Sequence, residues 1–420
     1  MRTRRFPRPA RGQHAPRRGQ GGFTLVELMV ALSGGLFLAI VVFTLSRDVT
    51  RFYQQETRVA GSTLSTVSGF QRLTADLALA GHLSTGNILT DRRVCAKPAG
   101  GWPQEMLTLR ALYFGKNAAA IAGTELGPAR ADTKPQTLTI SGAINVPEVF
   151  ITRSVAAGGD GTWQVHLDLG TASARRVGLS ALPGAEGKNL EVMTSIFMAG
   201  GSGRIVRLRR GLQDQFVLVG SVGTNPGQAF LNLAPTPGLQ RVAAGAAKCG
   251  ISDLGELMSV SVINIIRYAI RPMKDDPAYK ALFDASGINK VPFEKDRAEL
   301  VRVELDPFGK EIDATRELVA EYAVDLKFTA WRAASGTQTD LVEVTNDLDT
   351  ATTFNQLVRG VRVRFSTRSR EADRNADVFA GSDATHRYRI QLQTTPPLFA
   401  RVRTLQSDVP LRNLEGSNWD

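Results

Sequence analysis

Residues 23–45 read FTLVELMVALSGGLFLAIVVFTL, an apolar run interrupted only by Glu27, a few hydroxyls and the pair Gly34-Gly35. At 1.5 Å per residue the run makes a helix of about 35 Å, enough to cross a hydrocarbon core of about 30 Å. Seven arginines (Arg2, Arg4, Arg5, Arg8, Arg11, Arg17 and Arg18) precede it, with no acid among them. The positive-inside rule places such a leader in the cytoplasm and everything beyond the run on the far side of the membrane. The charge of the chain is thereby located. Of a formal +11, seven charges lie in the first 22 residues and four in residues 23–420. A cleaved secretory signal would have an apolar region of about 7–15 residues ending at a small-residue site. This run is longer. A plain anchor would have no use for Glu27, because a carboxylate in hydrocarbon is costly unless it has a partner.

The hexapeptide Gly22-Phe23-Thr24-Leu25-Val26-Glu27 resembles the processing site of type IV pilins and pseudopilins. The resemblance implies cleavage by prepilin peptidase between Gly22 and Phe23, then methylation of the new N-terminal amine on Phe23. It also implies a role for Glu27, which lies one helical turn beyond that amine. In the family this glutamate attracts the N-terminal amine of a neighbouring subunit as helices bundle. The idea is physically sound, since each charge offsets the other's desolvation in a low-dielectric setting.

Beyond the run, Val49, Phe52, Val59, Val67, Phe70 and Leu77 recur at three- and four-residue steps or their multiples, and no proline occurs between Pro16 and Pro98. The pattern predicts a continuous helix from residue 24 to about 80, amphipathic in its second half and stopped at Gly81. Residues 83–255 read as β-structure and loop. Within them Val149–Val155 and Trp163–Leu169 flank a Gly-Gly-Asp-Gly turn and predict a hairpin. Further strand-like runs are predicted at Val260–Ile270, Leu300–Leu305, Leu318–Trp331, Val358–Ser366, Tyr388–Leu392 and Arg401–Ser407.

Residues 70–82 (FQRLTADLALAGH), 317–331, 358–370 and 401–413 resemble segments of PilW-type minor pilins, the first of them also J-type pseudopilins. The expected organisation is a leader (1–22), a long helix (23–82, membrane-spanning over 23–45), a β- and loop-rich region (83–255) and a PilW-like β-rich region (256–420). The expected fold class is α+β and pilin-like: a long N-terminal α-helix packed on an extracytoplasmic, antiparallel β-rich domain.

Constellations that carry chemistry are sparse. The four histidines, His14, His82, His166 and His386, are scattered, and neither a G-x-S-x-G nor a P-loop spacing occurs. Asp347 and Asp349 in NDLDT could ligate calcium, but, like Asp275 and Asp276, they read as solvated loop acids. No enzyme, cofactor or metal is expected. Cys95 and Cys249 are the only cysteines. Both fall on the oxidising side of the membrane, which favours a disulfide. Closing a loop of about 155 residues would stabilise the fold by roughly 4–5 kcal/mol on the chain-entropy view.

The four mature-chain charges also have an address. Residues 359–420 carry eleven arginines against seven acids. Arg362 and Arg364, Arg387 and Arg389, and Arg401 and Arg403 each alternate with apolar residues, so each pair lies on one face of its strand. Were those strands neighbours, they would make a basic face. It would be a solvated surface or, on the sharper reading, a docking face for an acidic minor pilin or for DNA phosphates.

The resemblance implies a non-catalytic minor pilin that primes or caps a type IV pilus. It would be held in the inner membrane by one span and then carried to the cell surface. Its partners would be other minor pilins, the major pilin, prepilin peptidase and the inner-membrane assembly platform. A J-type pseudopilin of type II secretion, or a pilus-tip adhesin or DNA-binding subunit, are the alternatives.

Overall fold

The computed structural model describes residues 24–116, 135–158, 162–242, 250–251, 255–272, 276–285, 297–334, 341–344, 355–370, 389–394 and 397–415. Two compact units divide the chain, Met1–Arg58 and Val59–Asp420. The first helix, α1 (Leu25–Ala78), contributes to both.

In the first unit Leu25–Thr50 is long and apolar enough to cross a membrane, and none of it is buried in protein. Gly34 and Gly35 have no atom within 4 Å of where a Cβ would stand.

In the second unit the end of α1 is amphipathic. Leu73 and Leu77 are fully buried, whereas Gln71, Arg72 and Ala75 are exposed. At Gly69 the helix touches the sheet so closely that a Cβ would lie 2.6 Å from the Val319 carbonyl oxygen and 2.7 Å from Ala320 Cβ. The chain leaves the helix through a turn in which Gly81 has φ +73°, and the Gly81 N–H donates to the Ser141 carbonyl (2.8 Å). That left-handed conformation suits glycine.

After the short helix α2 (Gln104–Leu107), ten strands join in one antiparallel sheet. They begin with β1 (Leu112–Lys116), β2 (Gln136–Gly142), β3 (Val149–Ala157) and β4 (Trp163–Leu167). Two helices follow, α3 (Ala172–Arg176) and α4 (Glu186–Phe197), and then a two-residue ribbon of its own, β5 (Met198–Ala199) with β6 (Ser202–Gly203). The large sheet resumes with β7 (Ile205–Arg210), β8 (Gln213–Asn225), β9 (Gln228–Leu233) and β10 (Ser259–Pro272). After helix α5 (Pro277–Ala285) come β11 (Ala298–Leu305) and β12 (Glu317–Ala320).

β10 is the strand on which the architecture turns. Its first residues pair with β3 on one side and β7 on the other, and β3–β4–β9–β8–β7 complete the circuit. Six strands thus close into a small barrel. Closure removes sheet edges, and α4 contributes Met193, Ile196 and Phe197 to the same core as Phe150, Val165, Val206, Val217, Leu231 and Val260. Phe150 and Phe197 meet with ring centroids 5.4 Å apart. The second half of β10 pairs with β2 and β11, giving an open sheet β1-β2-β10-β11-β12.

A separate five-stranded sheet has the order β14-β13-β15-β17-β16. Its strands are β13 (Ala323–Ala333), β14 (Leu341–Val344), β15 (Val358–Arg368), β16 (Arg389–Thr394) and β17 (Pro397–Pro410), and helix α6 (Arg412–Glu415) follows. The largest core gathers Leu73 and Leu77 of α1, Ile266, Tyr268 and Ile270 of β10, and Leu326, Phe328, Val361, Val363 and Phe365 of this second sheet. Phe114 stacks on Phe328 at 5.1 Å.

Several local expectations are met and others are corrected. β3 and β4 pair antiparallel, as the hairpin reading expects. The run Leu318–Trp331 is two strands, because Tyr322 adopts φ +55° and turns the chain between β12 and β13. α4 lies in the stretch expected to hold only β-structure and loop. Its buried residues Asn189, Met193, Ile196 and Phe197 follow helical spacing, but Gly184 and Gly187 and three β-branched residues obscure that signal. The ten-stranded sheet also runs across residue 255, since β10, β11 and β12 belong with the strands before it.

Candidate functional site

The start of α1 is a reciprocal cap. The Thr24 hydroxyl accepts from the Glu27 N–H (3.2 Å), while Glu27 Oε2 accepts from the Thr24 N–H (3.0 Å) and from the Thr24 hydroxyl (2.9 Å). Leu28 N–H donates to the Thr24 carbonyl (3.1 Å), the first turn of helix. This is a capping box, with threonine at the cap and glutamate three residues on. Two N–H groups that would otherwise lack a partner are satisfied, and the carboxylate is turned back toward the N-terminus. The T-x-x-E spacing is a readable sequence signal of this cap. Gly22 and Phe23 lie outside the described residues.

The second site binds α1 to the sheets. Asp76 is buried on the face that carries Leu73 and Leu77. Its Oδ2 accepts from the Tyr268 hydroxyl (2.8 Å) and from Arg302 Nε (2.7 Å). Arg302 Nη2 donates to Asn145 Oδ1 (2.7 Å), and Asn145 Nδ2 donates to Glu304 Oε2 (3.2 Å). Glu304 is also held by Asn264 (2.8 Å) and, bidentately, by Arg204 (2.7 and 2.9 Å). Arg204 in turn donates to the Ser195 and Ile196 carbonyls at the end of α4 (2.8 and 2.7 Å). One chain of hydrogen bonds, linked through the exposed Asn145, therefore runs from α1 through β10 and β11 to the helix packed against the barrel core. Burial, and then the Asp76 carboxylate, push the Tyr268 phenol well above its usual value, so it stays a donor. An acid between two buried leucines was a visible oddity in the sequence, but nothing local names its partners.

The arginines do not assemble as expected. In the β15–β17 register Arg362 stands opposite Asp408 and Arg364 opposite Gln406, but Arg403 stands opposite Thr367. Directly opposed residues share a face and successive residues alternate. Arg403 is therefore on the other face of the sheet from Arg362 and Arg364, where it donates to the Thr63 hydroxyl of α1. Arg362 is paired bidentately with Asp408 (2.8 and 3.1 Å) and lies over the Trp331 ring (4.6 Å). Arg364 is paired with Asp325 (2.8 Å). The exposed Arg401 is opposite Arg389 in the β16–β17 register. Arg387 lies outside the described residues. Arg362 and Arg364 share one face of β15 and Arg401 and Arg403 one face of β17, but the two pairs take opposite faces of the sheet, and acids from neighbouring strands meet Arg362 and Arg364.

Cys95 is disulfide-bonded, and Cys249 lies outside the described residues. So do His14, His386, Asp275, Asp347 and Asp349. Asp276 is buried and paired with Arg316 (2.6 Å) rather than solvated. Among the described residues no three His, Cys, Asp or Glu side chains gather in a way that could hold a metal ion.

Residues 17–33 match the family described as the prokaryotic N-terminal methylation motif. The chain carries a prepilin-type motif. The match includes the leader's end and the capped start of α1, and it supports a type IV pilin-like protein. A motif of this kind implies processing by prepilin peptidase and pilin partners in general. With the apolar helix it is consistent with membrane anchoring and a pilus. It also suggests a structural subunit, a kind that is usually non-enzymatic. Neither curated proteins nor solved structures gave a match to the chain.

Proposed function

We propose that the chain is a minor pilin of the PilW type, a non-catalytic subunit that primes or caps a type IV pilus. The observation that carries this reading is the coincidence of three features at one place. The methylation motif ends in a capped helix start, Glu27 is aimed toward the N-terminus, and Leu25–Thr50 exposes its apolar side chains. Cleavage falls between Gly22 and Phe23, Phe23 is methylated, and Glu27 receives the amine of a neighbouring subunit. The span crosses the inner membrane once, with Val59–Asp420 outside the cytoplasm. There Cys95 pairs with Cys249, the chain's other cysteine. The size of the globular unit favours a low-copy or tip position over the repeating shaft.

Mass spectrometry of the N-terminus of the purified mature protein tests the class. A methylated Phe23 is expected. An intact leader, or a cut beyond residue 45, would sink the reading. Affinity capture of cross-linked complexes then separates the pilus role, which predicts the major pilin and other minor pilins, from a type II secretion role.

A further inference from the structure

A cleft of about 210 Å³ lies on the outside of the barrel, where β3 and β4 meet the turn between β8 and β9. Its position follows from a bulge. Thr152 pairs with Leu167 and Ser154 with His166, so Arg153 is an extra residue without a counterpart on β4. Bulges of this kind re-aim side chains and recur beside functional sites. The neighbouring residues Val155, Val165 and Leu167 point into the barrel core, whereas Arg153, Ser154, His166, Asp168 and Gln228 line the cleft.

These polar groups are largely unspent. The Asp168 carboxylate is fixed by one oxygen, which accepts the Gly170 N–H (2.8 Å), and its other oxygen has no partner among the described residues. The side chains of Arg153, Ser154 and Gln228 have no hydrogen-bond partner there either. His166 has none, though its ring rests against Phe230 with centroids 5.2 Å apart. Arg153 and Gln228 are exposed and Ser154, His166 and Asp168 half-buried, and a few polar groups converging on one concavity are a feature of small-ligand sites.

Charge and donor balance decide the ligand class. Arg153 and Asp168 cancel. Burial, and then the charge of Arg153, lower the pKa of His166 and favour its neutral form. An anion would meet Asp168 and a cation would meet Arg153. The set supplies donors from Arg153, acceptors from Asp168, and both from Ser154, Gln228 and neutral His166. Adjacent hydroxyl groups, each able to donate and accept, match that mixture. The exposed Ala181 methyl adds an apolar point on the wall for the C–H face of a sugar ring. We propose that this cleft binds a neutral saccharide ring. The proposal does not depend on the pilin reading.

The test is saturation-transfer NMR on the full chain in a detergent without sugar headgroups. The panel is glucose, galactose, mannose, fucose and N-acetylglucosamine at 10 mM each, with glucuronate and inorganic phosphate as charged controls. At least one neutral sugar is expected to show transfer, weakened tenfold or more in both Arg153→Gln and His166→Gln. Each variant must melt within a few degrees of the parent, and one that does not is replaced by Gln228→Ala, whose side chain is exposed. No transfer to any neutral sugar, transfer only to the charged controls, or undiminished transfer in folded variants would each overturn the proposal.

Discussion

The two ends of α1 are the same kind of structure in different surroundings. Over Leu25–Thr50 no side chain is buried and apolar residues occupy every face. Over residues 63–78 apolar residues occupy one face, and that face holds a buried acid with two long-range partners. The first segment is specified by composition, because a lipid environment asks only that backbone groups be satisfied within the helix and side chains be apolar. The second is specified by complementarity, because each buried position meets a particular neighbour. The difference teaches where substitutions should be felt. Changes in the first segment should act on assembly and leave the globular unit intact, whereas changes in the second should act on folding.

Glu27→Ala gives the largest expected effect. Surface pili recovered by shearing should lose the protein altogether, while thermal melting of the solubilised chain stays as in the parent. A lowered melting temperature would break the comparison. Asp76→Ala comes next, because it leaves the Tyr268 hydroxyl and the Arg302 guanidinium buried without their carboxylate. Removing one partner of a buried ion pair costs about 3–5 kcal/mol, to be read from denaturant unfolding monitored by near-UV circular dichroism.

Leu77→Ala should cost about 2–5 kcal/mol through transfer and cavity, whereas Leu36→Ala in the exposed segment should stay within about 0.5 kcal/mol. Equal costs would mean that the two segments are not distinct. Gly69→Ala should cost about 1–3 kcal/mol, since the added carbon meets the Val319 carbonyl and Ala320 across the helix–sheet contact. Smallest is Thr24→Val, which removes the cap hydroxyl for about 1 kcal/mol of helix stability. Amide exchange at residues 25–28 should rise with no change near Leu77.

Much of the first segment was legible. The basic leader, the Gly-Phe-Thr-Leu-Val-Glu motif and the unbroken apolar run are local features, and the capping box is read from two residues three apart. Within the globular unit the strand-like runs and the β3–β4 hairpin were legible for the same reason, since alternation and turn residues are short-range signals. Other features were hidden. α4 was masked by glycines and β-branched residues around a helical pattern of only four buried positions. Alternation grouped Arg362 with Arg364 and Arg401 with Arg403, yet their common face depended on a register that no single strand encodes.

The sequence by itself determined the membrane-competent helix, its capped start beside the methylation motif, and the tendency of most segments to be strand. These follow from periodicity, capping and composition within a few residues. Only the tertiary structure decided that β10 serves both a closed barrel and an open sheet, that Asp76 finds Tyr268 and Arg302, which lie 192 and 226 residues away, and that Arg362 and Arg403 face opposite ways. Each of those outcomes depends on which distant segments pair and in what register. A side chain's period fixes which residues share a face, but only packing against the rest of the chain fixes what that face meets.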